Sequence, residues 1–139
     1  MLLLMFAVDL SAAASKSGLI VDETWTKAES PYFIGTDVRI VSLTIAAGAD
    51  VKCASNTVFE IVGWLKASGT SSEPIHFGPA VPSEPWQGIF FNYTGDGSEL
   101  EFCTVEGAKN SGIRVFYGAP IISNCIVTNN SSSELLSFA

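Results

Sequence analysis

Trp86-Gln87-Gly88-Ile89-Phe90-Phe91 recurs 24 residues later as Asn110-Ser111-Gly112-Ile113-Arg114-Val115, and Ser133-Glu134-Leu135-Leu136 is a candidate third copy. A second series runs beside the first, because residues 100–105 (LEFCTV) recur after 22 residues as residues 122–127 (ISNCIV). The two series repeat in the same order and with nearly the same period, which indicates successive coils stacked on one another. The strands of adjacent coils would then pair in parallel.

The remainder of the chain from Pro31 onward alternates short apolar segments with turn-forming residues. No window keeps apolar residues at a helical period for more than a turn or two. Hydrophobic residues make up 47% of the chain and charged residues only 15%, which is typical of strands and turns rather than of helices with charged faces. We therefore predict an all-β parallel solenoid of about four to five coils.

Strand alternation assigns side chains to the interior or the surface. Ile89 and Phe91 are predicted to point inward, with Ile113 and Val115 stacked on them in the next coil. Asn124, Asn129 and Asn130 are predicted at sharp turns, because asparagine tolerates the left-handed backbone conformation.

The three cysteines, Cys53, Cys103 and Cys125, lack the spacing of a zinc site and the even number of a disulfide framework. The repeat stacks Cys103 on Cys125, which we interpret as a small apolar ladder in the core. A disulfide or a reactive thiol is the alternative interpretation.

Residues 1–14 (MLLLMFAVDLSAAA) have the pattern of a partial signal peptide, an apolar run followed by small residues, with an N-terminal strand as the alternative. The apolar run is far shorter than the roughly 20 residues of a membrane span. Residues 15–37 would then form an N-terminal cap segment and residues 38–139 the coils, the last of them incomplete. We expect a secreted or cell-surface protein whose open coil end self-associates.

Charge and residue usage narrow the functional classes. The net charge of −7 argues against nucleic acid as a partner, since nucleic-acid binding needs basic patches. His76 is the only histidine, so a general-base role would fall on it. It is predicted to be a surface strand residue for which the repeat supplies no partner. Asp50 and Asp96 are predicted to be turn residues, so we expect no metal site.

Three segments in order, residues 43–51 (LTIAAGADV), 63–70 (GWLKASGT) and 73–77 (EPIHF), resemble the opening coils of bacterial right-handed β-helix proteins of the pectate-lyase-like superfamily. The resemblance covers about residues 18 to 136. It implies a right-handed coil and a secreted or cell-surface protein, commonly longer than this chain and often contacting polysaccharide.

The residues depart from the catalytic members of that superfamily. Members that cleave polyuronates use clustered Asp or Glu for calcium, plus a basic residue, on one outward sheet face. The corresponding outward positions here carry a single carboxylate, and they are Glu60, Val62, Trp64, Lys66, Phe90, Asn92, Arg114 and Phe116. We therefore predict no catalytic residue and no cofactor in this segment.

Outward aromatic residues supply the one positive indication of a ligand. Apolar ring faces beside a few polar groups suit sugar rings, although a loop or neighbouring domain covering them is the alternative. The predicted ligand-binding residues are Trp64, Phe90, Arg114 and Phe116, with Tyr93 and Tyr117 as possible additions. The sequence thus predicts a non-catalytic extracellular module that acts as a scaffold or contacts polysaccharide. The alternatives are the N-terminal part of a polysaccharide lyase or glycoside hydrolase whose active site lies on later coils, and a complete small structural protein.

Overall fold

The structure, a computed structural model, describes residues 14–131 and the backbone of residues 135–138. Strands make up 57% of the described residues and helix 3%, and the parallel strands form a β-solenoid of about five turns. This confirms the predicted fold class. No helix in the described part of the chain is long and apolar enough to cross a membrane.

All pairings between the strands are parallel. A short 3-10 helix, Lys27–Glu29, lies between the second and third strands. The strands are β1 Ala14–Ile20, β2 Glu23–Trp25, β3 Tyr32–Ala46, β4 Asp50–Cys53, β5 Phe59–Ser68, β6 Ile75–Pro79, β7 Ile89–Asn92, β8 Glu99–Glu101, β9 Cys103–Glu106, β10 Ile113–Phe116, β11 Ile121–Ser123, β12 Ile126–Thr128 and β13 Leu135–Phe138.

Each coil contributes to three stacked faces. The first face runs from β1 through β3, β5, β7 and β10 to β13. The second consists of β2, the later parts of β3 and β5, then β8 and β11. The third joins the starts of β1 and β3 to β4, β6, β9 and β12.

The register confirms both repeat series. Ile113 lies between Ile89 on one side and Leu135 on the other, so the three related segments are neighbours on the first face. Val127 pairs with Val105 on the third face. Ile89 and Val115 are buried, as the alternation predicts.

Aromatic rings fill the early coils of the interior. Trp25 stacks on Tyr32 with ring centroids 4.8 Å apart, and Phe59 meets Trp25 edge-on at 6.0 Å. Phe77 meets Phe59 edge-on at 5.6 Å, so the contacts cross from face to face. Each fully buried large side chain stabilises the fold by about 1.5–3 kcal/mol, and these rings form one continuous core with the apolar ladders.

Single residues in the left-handed conformation make the corners. Asn124 and Asn129 have φ of 52° and 55°, which confirms their predicted turn role. Asn130 differs, because its side-chain oxygen accepts a hydrogen bond from the backbone N–H of Ala108 at 2.8 Å in the preceding coil. An asparagine can therefore stabilise a turn through a side-chain hydrogen bond as well as by adopting the left-handed backbone conformation.

The described strands begin well before residue 38. Residues 15–37, predicted as a cap segment, hold most of β1, all of β2 and the start of β3, and these pair in parallel with the coil that follows. The predicted signal peptide lies outside the described residues except for Ala14, which begins β1. The side chains of the last predicted strand also lie outside the described part.

Gly63 occupies the corner where β5 passes from the first face to the second. A Cβ at this position would overlap the carbonyl oxygen of Val41 in the preceding coil. The register of β3 and β5 shifts at the same place, between Ile40 and Ser42. The two coils therefore approach closely there, and only glycine leaves room for the backbone.

Replacing Gly63 by alanine is expected to destabilise the protein by about 3 kcal/mol or more, because neither backbone can move without breaking its ladder. Urea unfolding followed by circular dichroism measures the change. Gly95→Ala is the matched control, since a Cβ at Gly95 would meet no atom within 4 Å. A loss for Gly63→Ala no larger than the control's would contradict this account of the corner.

Candidate functional site

Phe90 and Arg114, two of the predicted ligand-binding residues, are neighbours on the first face. They pair directly across β7 and β10, and the guanidinium carbon of Arg114 lies 4.5 Å from the ring centroid of Phe90. Both side chains point outward and are half-buried. The contact is a cation–π interaction that orients the guanidinium along the sheet.

Phe90 and Arg114 belong to a row of outward-facing residues that crosses the strands of the first face. Toward the N-terminal coils the row continues with Glu60, which pairs with Phe90, and then with Arg39, which pairs with Glu60. The Glu60 carboxylate accepts a hydrogen bond from Arg39 Nε at 2.9 Å and one from Asn92 Nδ2 at 2.8 Å. Burial opposes ionisation of Glu60, but these hydrogen bonds outweigh it and lower the pKa of the carboxyl group. The single carboxylate of this row is thus held by its neighbours.

Arg114 follows Phe90 in this row and pairs with Leu136 beyond it. Its Nε atom is buried and has no hydrogen-bond partner among the described residues. Burial lowers the pKa of the guanidinium. A buried N–H group without an acceptor costs about 1–3 kcal/mol.

Phe116 lies two residues beyond Arg114 and belongs to a cluster of three rings, Tyr93, Phe116 and Tyr117, which we call the aromatic cluster. The rings of Tyr93 and Tyr117 stack with centroids 5.1 Å apart and planes within 16°. Phe116 meets Tyr93 edge-on at 5.3 Å and Tyr117 at 4.6 Å. The structure thus brings the two possible additional residues together with Phe116.

The two tyrosines are exposed and occupy strained corner positions. Tyr93 is 65% exposed and Tyr117 49%. Both have φ of 54°, in the left-handed region, which costs a residue with a Cβ roughly 1–2 kcal/mol. Stacking of the two rings offsets only about 0.5–1.5 kcal/mol of this backbone cost. Large rings are thus exposed to solvent at the same corner of two successive coils.

Trp64 is separate from this cluster. It pairs with Ser42 beyond the corner at Gly63, on the part of β5 that continues into the second face. Its ring lies 5.9 Å from the ammonium group of Lys66. The structure therefore groups Phe90 with Arg114 and Phe116 with the tyrosines, and it places Trp64 on a different part of the coil.

A second group of polar side chains lies on the third face, and it corrects the prediction that His76 has no partner. His76 Nδ1 is 3.0 Å from Asp50 Oδ1, and His76 Nε2 is 3.0 Å from Glu106 Oε1. Asp50 pairs with His76 across β4 and β6, and Glu106 stands at the end of β9 in the next coil. Lys52 lies 3.5 Å from Asp50. The imidazole therefore bridges three coils.

The charges of this bridge determine its chemistry. The hydrogen bond to Asp50 raises the pKa of His76, burial opposes this, and the hydrogen bond to Glu106 raises the pKa further. For Asp50 burial would raise the pKa, but the hydrogen bond from His76 and the charge of Lys52 outweigh it and lower the pKa. An imidazolium with both N–H groups donated to carboxylates has no free nitrogen to accept a proton, so in this form His76 does not act as a general base.

The ring nitrogens of His76 face different carboxylates, so these groups do not converge on one point. Among the described residues there is no group of three or more His, Cys, Asp or Glu that could hold a metal ion. A shallow depression of about 280 Å³ lies beside the bridge, lined by Lys52, His76, Pro79, Pro82, Glu106, Gly107 and Asn129.

Comparison of the chain with models of protein families, with curated proteins and with solved structures finds no match in any of the three. The functional assignment therefore depends on the geometry of the aromatic cluster and its neighbours.

The His76 bridge gives a pH dependence with a defined sign. Because the pKa of His76 is raised above 6.5, its stabilisation is fully present below about pH 6.5 and is lost as pH rises through the folded-state pKa. The lowered pKa of Asp50 adds stabilisation above about pH 3.8 that is lost as pH falls. We expect His76→Gln to destabilise the protein by about 1 kcal/mol near pH 5.5, and by less near pH 8.5.

Urea unfolding of the wild type and His76→Gln at the two pH values measures this difference. The quantity compared between the two pH values is the difference in unfolding free energy between the two proteins. Groups other than His76 titrate in both proteins, so their contributions cancel in that difference. A difference between the two proteins that stays constant, or grows toward alkaline pH, would contradict a protonated bridge.

Proposed function

We propose that this protein is a non-catalytic, secreted or cell-surface β-solenoid module that contacts polysaccharide through the aromatic cluster. The observation that carries the proposal is the pair of stacked, exposed tyrosines held in strained corner positions of two successive coils. The apolar run of residues 2–8, followed by small residues, supports secretion. The resemblance over residues 18 to 136 and the three faces per coil support membership of the pectate-lyase-like superfamily.

The shape and chemistry of the cluster suit a sugar ring. Tyr93 and Tyr117 present nearly parallel rings, and each hydroxyl can donate or accept a hydrogen bond beside an apolar face. Phe116 supports both rings edge-on from the strand below the corner. Because the rings already contact one another, little side-chain freedom would be lost when a ligand binds.

Arg114 extends this surface on the first face. Its guanidinium lies against Phe90, two residues before Phe116 along β10. The Arg114 side chain is half-buried on the outward face, and a guanidinium can donate charge-assisted hydrogen bonds to the acceptor oxygens of a polymer. Phe90 and Arg114 thus provide the polar edge of the proposed binding surface.

The groups around this surface favour binding over catalysis. Glycoside hydrolysis needs two carboxyl groups facing one another across the scissile bond. Glu60 is held by Arg39 and Asn92, and Asp50 and Glu106 are held by His76 on another face. The alternative, that later coils of a lyase or hydrolase carry an active site, stays a prediction, as does self-association of the coil end.

The double variant Tyr93→Asn/Tyr117→Asn separates ligand binding from folding. Asparagine already occupies left-handed corners at Asn124 and Asn129, so the backbone should be accommodated with less strain. We expect the thermal midpoint to stay the same or rise, while affinity for polysaccharide falls at least about tenfold through loss of ring contacts.

Affinity electrophoresis in gels containing soluble β-glucan, xylan, alginate or polygalacturonate measures the binding. Leu19→Ala is the matched control, because Leu19 is a 62% exposed apolar residue on the same face at its opposite end. The proposal fails if no polymer retards the wild type, or if the double variant is retarded as strongly as the wild type and Leu19→Ala.

A further inference from the structure

We infer that Cys103 and Cys125 are a redox site, at which a low-molecular-weight disulfide converts the two thiols into a reversible disulfide between successive coils. The site lies on the third face, and the inference is independent of the proposed binding of polysaccharide. In the structure all three cysteines are free thiols.

The register brings the two cysteines together. Ile126 pairs with Thr104 and Val127 with Val105, so Cys125 stands directly over Cys103 in the next coil. Parallel neighbours in a sheet lie about 4.8 Å apart, within the Cα separation of roughly 4.4–6.8 Å that a disulfide spans. Cys103 Sγ lies 3.5 Å from the carbonyl oxygen of Glu101, and Cys125 Sγ lies 3.2 Å from that of Ser123, which pairs with Glu101. The two thiols therefore occupy equivalent positions in adjacent coils.

Only one of the two thiols is accessible from solvent. Cys103 is 1% exposed, whereas Cys125 is half-buried. Cys125 borders a depression of about 350 Å³, which is large enough to admit a small reagent. The depression is lined by Thr70, Ser71, Pro74, Phe102, Cys103, Thr104, Asn124, Cys125 and Ile126.

The two cysteines are suited to different roles in the exchange reaction. Interaction with the neighbouring Cys103 thiol lowers the pKa of Cys125, against an opposing contribution from burial. The same interaction, together with burial, raises the pKa of Cys103. Because Cys125 is also the more exposed of the two, we assign Cys125 as the thiolate that attacks and Cys103 as the thiol that resolves the intermediate.

The reaction balances in two exchange steps. The Cys125 thiolate attacks one sulfur of the low-molecular-weight disulfide, so a mixed disulfide forms and one small thiolate leaves. Cys103 then loses its proton to solvent and its sulfur attacks Cys125 Sγ, which forms the Cys103–Cys125 bond and releases the second small thiolate. The two protein thiols are oxidised by two electrons, and the small disulfide is reduced to two thiols.

Cys53 serves as an internal reference. It lies on the same face, two coils away from Cys103, and is fully buried beside Val51 in the core. Burial raises the pKa of its thiol, so it should remain reduced and unreactive while the protein is folded.

The test is to incubate the full chain with oxidised glutathione near pH 7.5 and to follow intact mass and free thiols. We expect a transient glutathione adduct at Cys125, then loss of that adduct to give a chain lighter by two hydrogen atoms. Peptide mapping should link Cys103 to Cys125 and leave Cys53 free. Dithiothreitol should restore all three thiols. We expect Cys125 to react at least about 100-fold faster than Cys53 in the folded protein.

Three single variants assign the roles. Cys103→Ser should stop at a stable glutathione adduct on Cys125, Cys125→Ser should form no adduct at Cys103, and Cys53→Ser should behave as the wild type. Circular dichroism checks that each variant is folded.

The wild-type measurement decides the inference even if a variant does not fold. A persistent glutathione adduct on the wild type, a disulfide between two chains, or equal reactivity of Cys125 and Cys53 would each overturn it.

Discussion

The parallel register between coils is the constraint on which everything else in this molecule depends. Each strand satisfies its backbone groups with the strands of the coils above and below, so within the paired strands each side chain lies over one from the preceding coil. Apolar ladders, the Arg39–Glu60 contact and the thiol pair are consequences of this stacking. A change at one position therefore acts on neighbours about 20 residues away in sequence as strongly as on adjacent ones.

The sequence predicts the architecture wherever coil length is constant. Between Gly88 and Val127 the period stays at 22–24 residues, so Ile89 over Ile113 and the neighbouring cysteines follow from self-similarity alone. The coil between Phe59 and Ile89 is 30 residues long and breaks the period. For this reason the partners of His76 could not be identified: the alignment of β4 with β6 and of β6 with β9 is hidden by two unequal loops.

The turns between faces limit the prediction of the candidate site for a second reason. Alternation assigns inward and outward side chains only within a strand, and Tyr93 and Tyr117 lie one residue beyond β7 and β10. Their stacking depends on the left-handed backbone of each corner, which a tyrosine rarely adopts and which sequence patterns therefore do not indicate. Trp64 shows the same limit, because β5 bends at Gly63 and directs Trp64 to another part of the coil.

The 30-residue coil between Phe59 and Ile89 offers a place where the chain could be extended. Its additional residues leave the solenoid in loops, while Phe59 and Ile89 on either side remain paired in register. The loop that follows Pro79 carries the exposed residue Val81 and returns to the sheet at Trp86 without displacing the core. Such a loop is a natural place to graft a foreign peptide or an epitope, because the scaffold has already accommodated length variation there.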